Sequence, residues 1–448
     1  MSPPYSLTDR QERIVELAGE LAARFAARAA THDPQWSFPL ENFEDLHRSG
    51  FLRLALPKIY GGEHANIFEM VLAQERLAHG DAGTALVVGM LLNIIGRLRD
   101  EKDVWPEPIF AAVCRDIAEN GGGINTCVTE PDLGSISRGG VPTATARRIE
   151  GGWLVNGRKI FITGAPALRY LVTIVVLPPN EKAPNGEVAS AIVKAGAPGL
   201  GMEDAWQGSL SLRTCGNFDV TYDNVFVPDD WVVERRPIAP AAGPVRPPSG
   251  KGAPGLGPWA LTVAAVYLGI GEAACRAACD YANERVPTAL GRPIAEEPHV
   301  QHWIGQMRVA VEGARAQLYE TARLCRDHPD RHGELSAAIA AAKFLCTNAA
   351  CAATETGLRV AGGFSLTGRL TLERHFRDAR AGLFQPPQDD LALGFVGRAA
   401  LADARRATEE AEARTARSTE AAGRPPDFRQ AHPSTQIYTS AIAATRRP

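Results

Sequence analysis

The residues best suited to chemistry in this 448-residue chain lie between Ile124 and Thr163. Two apolar runs there are broken by small hydroxyl residues. The first is Ile124-Asn125-Thr126-Cys127-Val128-Thr129-Glu130-Pro131, followed by Gly134-Ser135. The second is Trp153-Leu154-Val155-Asn156-Gly157-Arg158-Lys159-Ile160-Phe161-Ile162-Thr163. Their β-branched and aromatic content predicts strands, and the Asn156-Gly157 pair between alternating residues predicts a hairpin turn. Hydroxyl groups and main-chain amides at strand ends suit a flat ring with a polar edge, because they hydrogen-bond it without filling its space.

Other groups carry chemical potential further along. Arg285, after Asp280-Tyr281-Ala282-Asn283-Glu284, presents a guanidinium fork suited to an anion; a surface ion pair with Glu284 or a neighbour is the alternative. Gly362-Gly363 lets the backbone approach a ligand closely. Asp389 and Asp390 are carboxylates able to take a proton, although Asp before an apolar helical pattern commonly acts as an N-cap.

These residues need elements to hold them. Residues 8–31 predict an amphipathic helix with a Thr8/Gln11 capping box and a stripe of Ile14, Leu17, Leu21 and Phe25. Helices are also expected from Phe38-Pro39 to Ser49-Gly50, from Met70 to His79, and from Asp81 toward Gly96. Strand-like runs then recur at 124–129, 143–149, 153–163, 170–177, 189–194 and 218–226, divided by Gly, Pro, Asn and Asp. Residues 236–258 are rich in Pro and Gly and read as a surface loop in preference to a lid. Helical periodicity returns at 259–283, 299–326, 335–357 and 389–413. The expected organisation is an N-terminal helical domain (1–121), a central β domain (122–235), the loop (236–258), a C-terminal helical bundle (259–413) and a polar tail (414–448).

A net charge of −3 and 22% charged residues argue against nucleic acid or an acidic membrane surface as the main partner. No basic start precedes an apolar h-region and no apolar run approaches about twenty residues, so a soluble, cytoplasmic protein is expected. Eight scattered cysteines, with only Cys275 and Cys279 closely spaced and no histidine cluster beside them, read as reduced thiols and not as a zinc site.

The segment Cys127-Val128-Thr129-Glu130-Pro131 with Gly134-Ser135, followed by Asn156 to Thr163, resembles the flavin-binding signature of the acyl-CoA dehydrogenase family. Ala361-Gly362-Gly363-Phe364, Glu373-Arg374 and Arg377-Asp378-Ala379-Arg380 resemble a second landmark in the family's order, and the resemblance covers about residues 5–410. It implies an α+β fold: an N-terminal helical domain, a central β-barrel-like domain and a C-terminal four-helix bundle, with flavin between the last two. It further implies that Thr129 bonds the pyrimidine edge of the isoalloxazine, Thr163 bonds near N5 and Phe161 covers the ring, with Thr126, Val128 and Ser135 as weaker contacts. Arg285, Gln301, Gly362 and Gly363 would serve the adenosine diphosphate part of FAD across a subunit contact, and Arg359 stands where the family has glutamine. A homotetramer or at least a homodimer follows.

The same resemblance implies oxidation of the Cα–Cβ bond of an acyl thioester, with electrons passed to an electron-transfer flavoprotein or similar acceptor. That chemistry needs a carboxylate to remove the α proton. The family's usual glutamate position is Pro386 here, and the position used by other branches is Trp259, followed by Ala260. Asp389 or Asp390 is then the expected base; Glu130 is expected to be structural. Two alternatives stay open: a flavin-dependent monooxygenase of the same fold, using reduced flavin (FMN in place of FAD) and O2, and a non-catalytic flavin-binding subunit.

Overall fold

The computed structural model describes residues 6–422 except 102, 134–139 and 239–256. Ser135 and most of the Pro/Gly-rich loop therefore lie outside the described residues. The chain forms two units, residues 1–396 and 397–448.

Five helices open the first unit: α1 (Asp9–His32), α2 (Leu40–Arg48), α3 (Ile67–Leu77), α4 (Ala82–Asp100) and α5 (Glu107–Asn120). Local chemistry sets their starts. Thr8 and Gln11 close the capping box of α1, Asn66 and Glu69 do the same for α3, and Asp81 caps α4 through the Thr84 amide. Pro106 leads into α5, whose pattern the sequence reading does not delimit.

Among the described residues, eight strands follow: β1 (Gly123–Cys127), β2 (Thr145–Ile149), β3 (Gly152–Ile162), β4 (Leu168–Leu177), β5 (Glu187–Lys194), β6 (Leu200–Asp204), β7 (Phe218–Pro228) and β8 (Val232–Pro237). They form one sheet in the order β6-β7-β3-β2-β4-β5-β8, with β1 running parallel to β4. The strands β6 and β8 are additions to the sequence reading. The Asn156-Gly157 expectation is corrected: the β2–β3 turn is Glu150-Gly151, since Ile149 pairs with Gly152 and Gly151 has φ +76°. Asn156-Gly157 lies inside β3 at a register shift against β7. A Cβ on Gly157 would come within 2.7 Å of the Ala144 Cβ, so glycine there permits a bulge and a close approach.

Three long helices, α6 (Leu261–Glu284), α7 (Pro298–Asp327) and α8 (Ser336–Ala361), pack together with the short α9 (Leu372–Arg380). By length and composition α4, α6 and α8 are apolar enough to cross a membrane, contrary to the expectation of no such run. The most apolar windows of α4 and α6 are largely buried inside the protein, 78% and 83%, which explains their apolar character all round the helix, whereas that of α8 is 56% buried. The last helix, α10 (Asp389–Ala422), enters the second unit and continues past the expected limit at 413. Residues 414–422 contain no Gly or Pro, and the first helix breakers are Gly423 and Pro425. The described part of the second unit, residues 397–422, is this helix, with exposed pairs such as Arg406 with Asp403.

One connection joins all three layers of the first unit. Between β6 and β7, Thr214 Oγ1 donates to Asp81 Oδ1 (2.7 Å) and Trp36 Nε1 donates to the Ser209 carbonyl (3.0 Å), tying the loop to the N-terminal helices. On its other side, the Leu212 amide donates to Asp378 Oδ1 (2.7 Å), Ser211 Oγ to the Asp378 carbonyl (3.3 Å) and Arg377 to the Leu210 carbonyl (3.2 Å). Gly83 at the start of α4 makes the approach possible, because a Cβ there would lie 2.1 Å from Thr214 Oγ1.

Asp378 is buried, and burial reinforced by the Asp33 charge pushes its pKa up to about 7 against the Leu212 hydrogen bond and the Arg377 charge. A carboxyl unfolds to a pKa of about 3.9. The stability tied to this proton is therefore complete below about pH 4 and is lost as pH rises to 7. Asp378→Asn keeps an acceptor for Leu212 but cannot ionise. Urea melts at pH 4 to 8 should show the variant gaining on the parent as pH rises; a constant difference would place the Asp378 proton elsewhere. A second melt tests the buried pair of Glu130 and Lys159, whose Nζ lies 2.6 Å from Glu130 Oε1. Lys159→Met strands the Glu130 carboxylate and should cost about 3–5 kcal/mol.

Candidate functional site

Residues 125–130 and 159–163 pass alongside each other. Asn125 Nδ2 donates to the Thr163 carbonyl (2.9 Å), and the Ile160 amide donates to the Thr129 carbonyl (2.9 Å). Glu130 locks one end. Its carboxylate accepts from Lys159 Nζ, the Thr143 amide and hydroxyl (both 2.7 Å) and the Ala144 amide (3.1 Å). Burial opposes its charge, but the Lys159 and Thr143 donors outweigh it and hold its pKa below the usual carboxylate value. With its acceptor capacity taken up, Glu130 is structural and not a free base.

Phe161 sits at a second register shift of β3 against β7, with φ +59°. Positive φ on an aromatic residue is strained by about 1–3 kcal/mol and persists where surrounding structure imposes it. The ring is 54% exposed and meets Trp206 edge-on, centroids 5.9 Å apart. The hydroxyls of Thr126, Thr129 and Thr163 make no hydrogen bond to any described residue. Beyond Thr163, Gly164 has φ +78°, and a Cβ there would meet Val87 of α4 at 2.3 Å, so α4 closes against the strand end.

These features fit an isoalloxazine. An exposed aromatic face offers stacking, the unpartnered hydroxyls offer hydrogen bonds to a polar edge, and Val128 lies between them in sequence, half-buried.

A second group lies on the C-terminal helices. Arg285 ends α6, and its guanidinium lies 5.2 Å from the Phe364 ring centroid, with no carboxylate partner among the described residues. The contact sets Arg285 beside the turn that begins with Gly362 (φ +58°) and Gly363. A Cβ on either glycine would touch nothing within 4 Å, so the fold leaves the surface above them open. An unpaired guanidinium next to open backbone is suited to a phosphate. Gln301 is exposed and donates to the Ala295 carbonyl (3.0 Å). Arg359 pairs with Glu355 (3.0 Å) one helical turn away, both exposed, so its charge is already engaged at the surface.

The two positions at which the resemblance would place the usual glutamate hold no carboxylate. Pro386 is exposed in the turn before α10. Trp259 is buried, donates from Nε1 to Asp100 Oδ2 (2.9 Å) and fills the space above Gly96, where a Cβ would lie 2.0 Å from its ring. Asp389 is the first residue of α10; its Oδ2 accepts from Asn348 Nδ2 (3.0 Å), and its Oδ1 is buried 3.6 Å from Lys343 Nζ without a hydrogen bond. Asp390 is exposed. The sequence reading did not find Asn125, Trp206 or Asn348. Only Trp206, a large aromatic in a polar loop, carried any sign of itself.

Strain at Phe161 can be weighed directly. Phe161→Gly removes the Cβ that makes φ +59° costly, so the melting temperature should hold or rise while flavin binding weakens. Phe161→Val keeps the strain, loses the ring and should melt lower. A Gly variant that unfolds several degrees early would show that the ring supports the fold and not a ligand.

Family models for acyl-CoA dehydrogenase match in chain order: the N-terminal domain over residues 8–98, the middle domain over 125–225 and the C-terminal domain over 261–384. The Bacillus subtilis protein YdbM, provisionally named an acyl-CoA dehydrogenase, is 36% identical over 86% of this chain and 96% of its own. In fold, butyryl-CoA dehydrogenase from Megasphaera elsdenii gives a TM-score of 0.74 at 22% identity, over 89% of this chain and 99% of its own. The FMN-bound dibenzothiophene monooxygenase TdsC from Paenibacillus sp. A11-2 also gives 0.74, at 20% identity, over 86% and 96%. With all three domains matched and a relative 36% identical along nearly its whole length, the chain belongs to the acyl-CoA dehydrogenase family.

Proposed function

We propose that the protein is an FAD-dependent oxidoreductase that oxidises the Cα–Cβ bond of an acyl thioester. The observation that carries the flavin assignment is the strained, exposed Phe161 on a strand that, with the neighbouring 125–130 segment, carries Thr126, Thr129 and Thr163, whose hydroxyls make no hydrogen bond among the described residues. In this reading Thr129 and Thr126 bond the pyrimidine edge, Thr163 bonds near N5, and Phe161 with Val128 lies against the ring. Arg285, Gly362 and Gly363 of one protomer hold the diphosphate of the cofactor whose ring sits in its partner, which makes the active species a dimer or a dimer of dimers. Gln301 is a secondary contact, and Arg359 reaches the cofactor only by leaving Glu355. Bound flavin supplies the acceptor for a hydride equivalent, and an electron-transfer flavoprotein or similar protein takes the electrons onward.

The α proton needs a base from this chain. Asp389 is the strongest choice, because its Oδ1 has unused acceptor capacity while Asn348 and Lys343 fix its position. Asp390, more exposed, is the other. A second reading rests on a specific observation: neither base position of the family holds a carboxylate, which suits a monooxygenase that uses reduced flavin and O2 and needs no α-proton removal.

One experiment separates them. The visible spectrum of the flavin-loaded protein is followed anaerobically during titration with acyl-CoAs of increasing length. Bleaching of the main flavin band supports the dehydrogenase, and Asp389→Asn should then slow it about 10²-fold or more. No bleaching by any thioester, together with O2 consumption once reduced flavin is supplied, selects the monooxygenase.

A further inference from the structure

The β6–β7 loop carries an aromatic residue that packs against Phe161. Trp206 meets Phe161 edge-on, with an interplanar angle of 80°. Its indole is held rigidly: Nε1 donates to the carbonyls of Ser211 (3.0 Å) and Leu212 (3.1 Å), and its amide donates to Asp204 Oδ1 (2.9 Å). The acceptors belong to the part of the loop clamped by Asp378, while the neighbouring Arg213 guanidinium lies 4.2 Å from the Trp36 ring centroid. Trp206 is thus fixed by contacts that reach both helical layers.

We infer that Trp206 is a positioning residue for the flavin ring. It supports the strained Phe161 so that the exposed face of that ring stays presented to the isoalloxazine. Without the indole, Phe161 at φ +59° loses this edge contact and relaxes toward other rotamers. The inference rests on the flavin reading given above. An aromatic edge contact of this kind is worth about a three- to tenfold change in an equilibrium constant. Flavin binding depends on it because the orientation of Phe161 must be paid for before the ring can stack.

The test uses the full chain stripped of flavin and titrated with FAD, with melting of the stripped protein as control. Trp206→Ala should bind FAD about three- to tenfold more weakly and alter the visible spectrum of the bound flavin, with the stripped protein melting within a few degrees of the parent. Trp206→Phe should restore both. Parent-like affinity and spectrum in Trp206→Ala would overturn the inference while leaving the flavin site standing. So would a Trp206→Phe variant that binds as weakly as Trp206→Ala at unchanged melting temperature. A parent protein that binds no FAD or FMN at all would overturn the flavin reading and this inference together.

Discussion

The structure hangs on the Asp378 carboxylate and the amide of Leu212 that it accepts. Both sit in the interior, where a carboxyl group without a donor would cost several kcal/mol. The hydrogen bond lets α9 and the β6–β7 loop approach, and the same loop reaches Asp81 through Thr214 and Trp36 through Ser209. Three layers with different secondary structure are thereby held in one register. Burial keeps Asp378 reluctant to ionise, so the junction depends on pH although it lies far from solvent.

Order at the loop is passed to the ring surface. Phe161 adopts a backbone conformation that no local preference favours, and the neighbouring structure imposes it. β7 provides the register shift, Trp206 the lateral contact and α4 the closure beyond Gly164. The Glu130–Lys159 pair fixes the adjacent strand end without contributing chemistry of its own, because its hydrogen-bonding capacity is spent within the protein. This division between locked charges and idle hydroxyls is what makes the surface receptive to a polar-edged ring.

The missing glutamate gains a structural meaning. Trp259 does not merely replace a carboxylate; its indole occupies the volume over Gly96 and is tied to Asp100, so a carboxylate cannot be restored there without leaving a cavity. At the other position, Pro386 begins a turn that delivers Asp389 to α8. Asp389, at the start of α10, accepts from Asn348 and lies 3.6 Å from the Lys343 ammonium, both on α8.

Much of this was legible in the chain. Capping at Thr8 and Asp81 is local hydrogen bonding, and it set helix starts correctly. Alternation of β-branched residues located six of the eight strands found among the described residues. The short β6 and the charged β8 were not visible, because edge strands bury little and so carry weak patterns. Asn156-Gly157 misled for the opposite reason: the dipeptide permits a turn, but pairing with β7 on one side and Ala144 on the other made it a bulge. The sequence by itself determined the types of residue offered to a flavin and the absence of a glutamate at Pro386. Only the tertiary structure decided that Phe161 is strained and exposed, that Arg285 lies against Phe364 with no carboxylate partner among the described residues, and that Trp206 meets the Phe161 ring edge-on. Those are outcomes of packing between separate elements, where Phe161 meets Trp206 of the β6–β7 loop and Arg285 meets Phe364 beyond α8, and no local pattern encodes such a meeting.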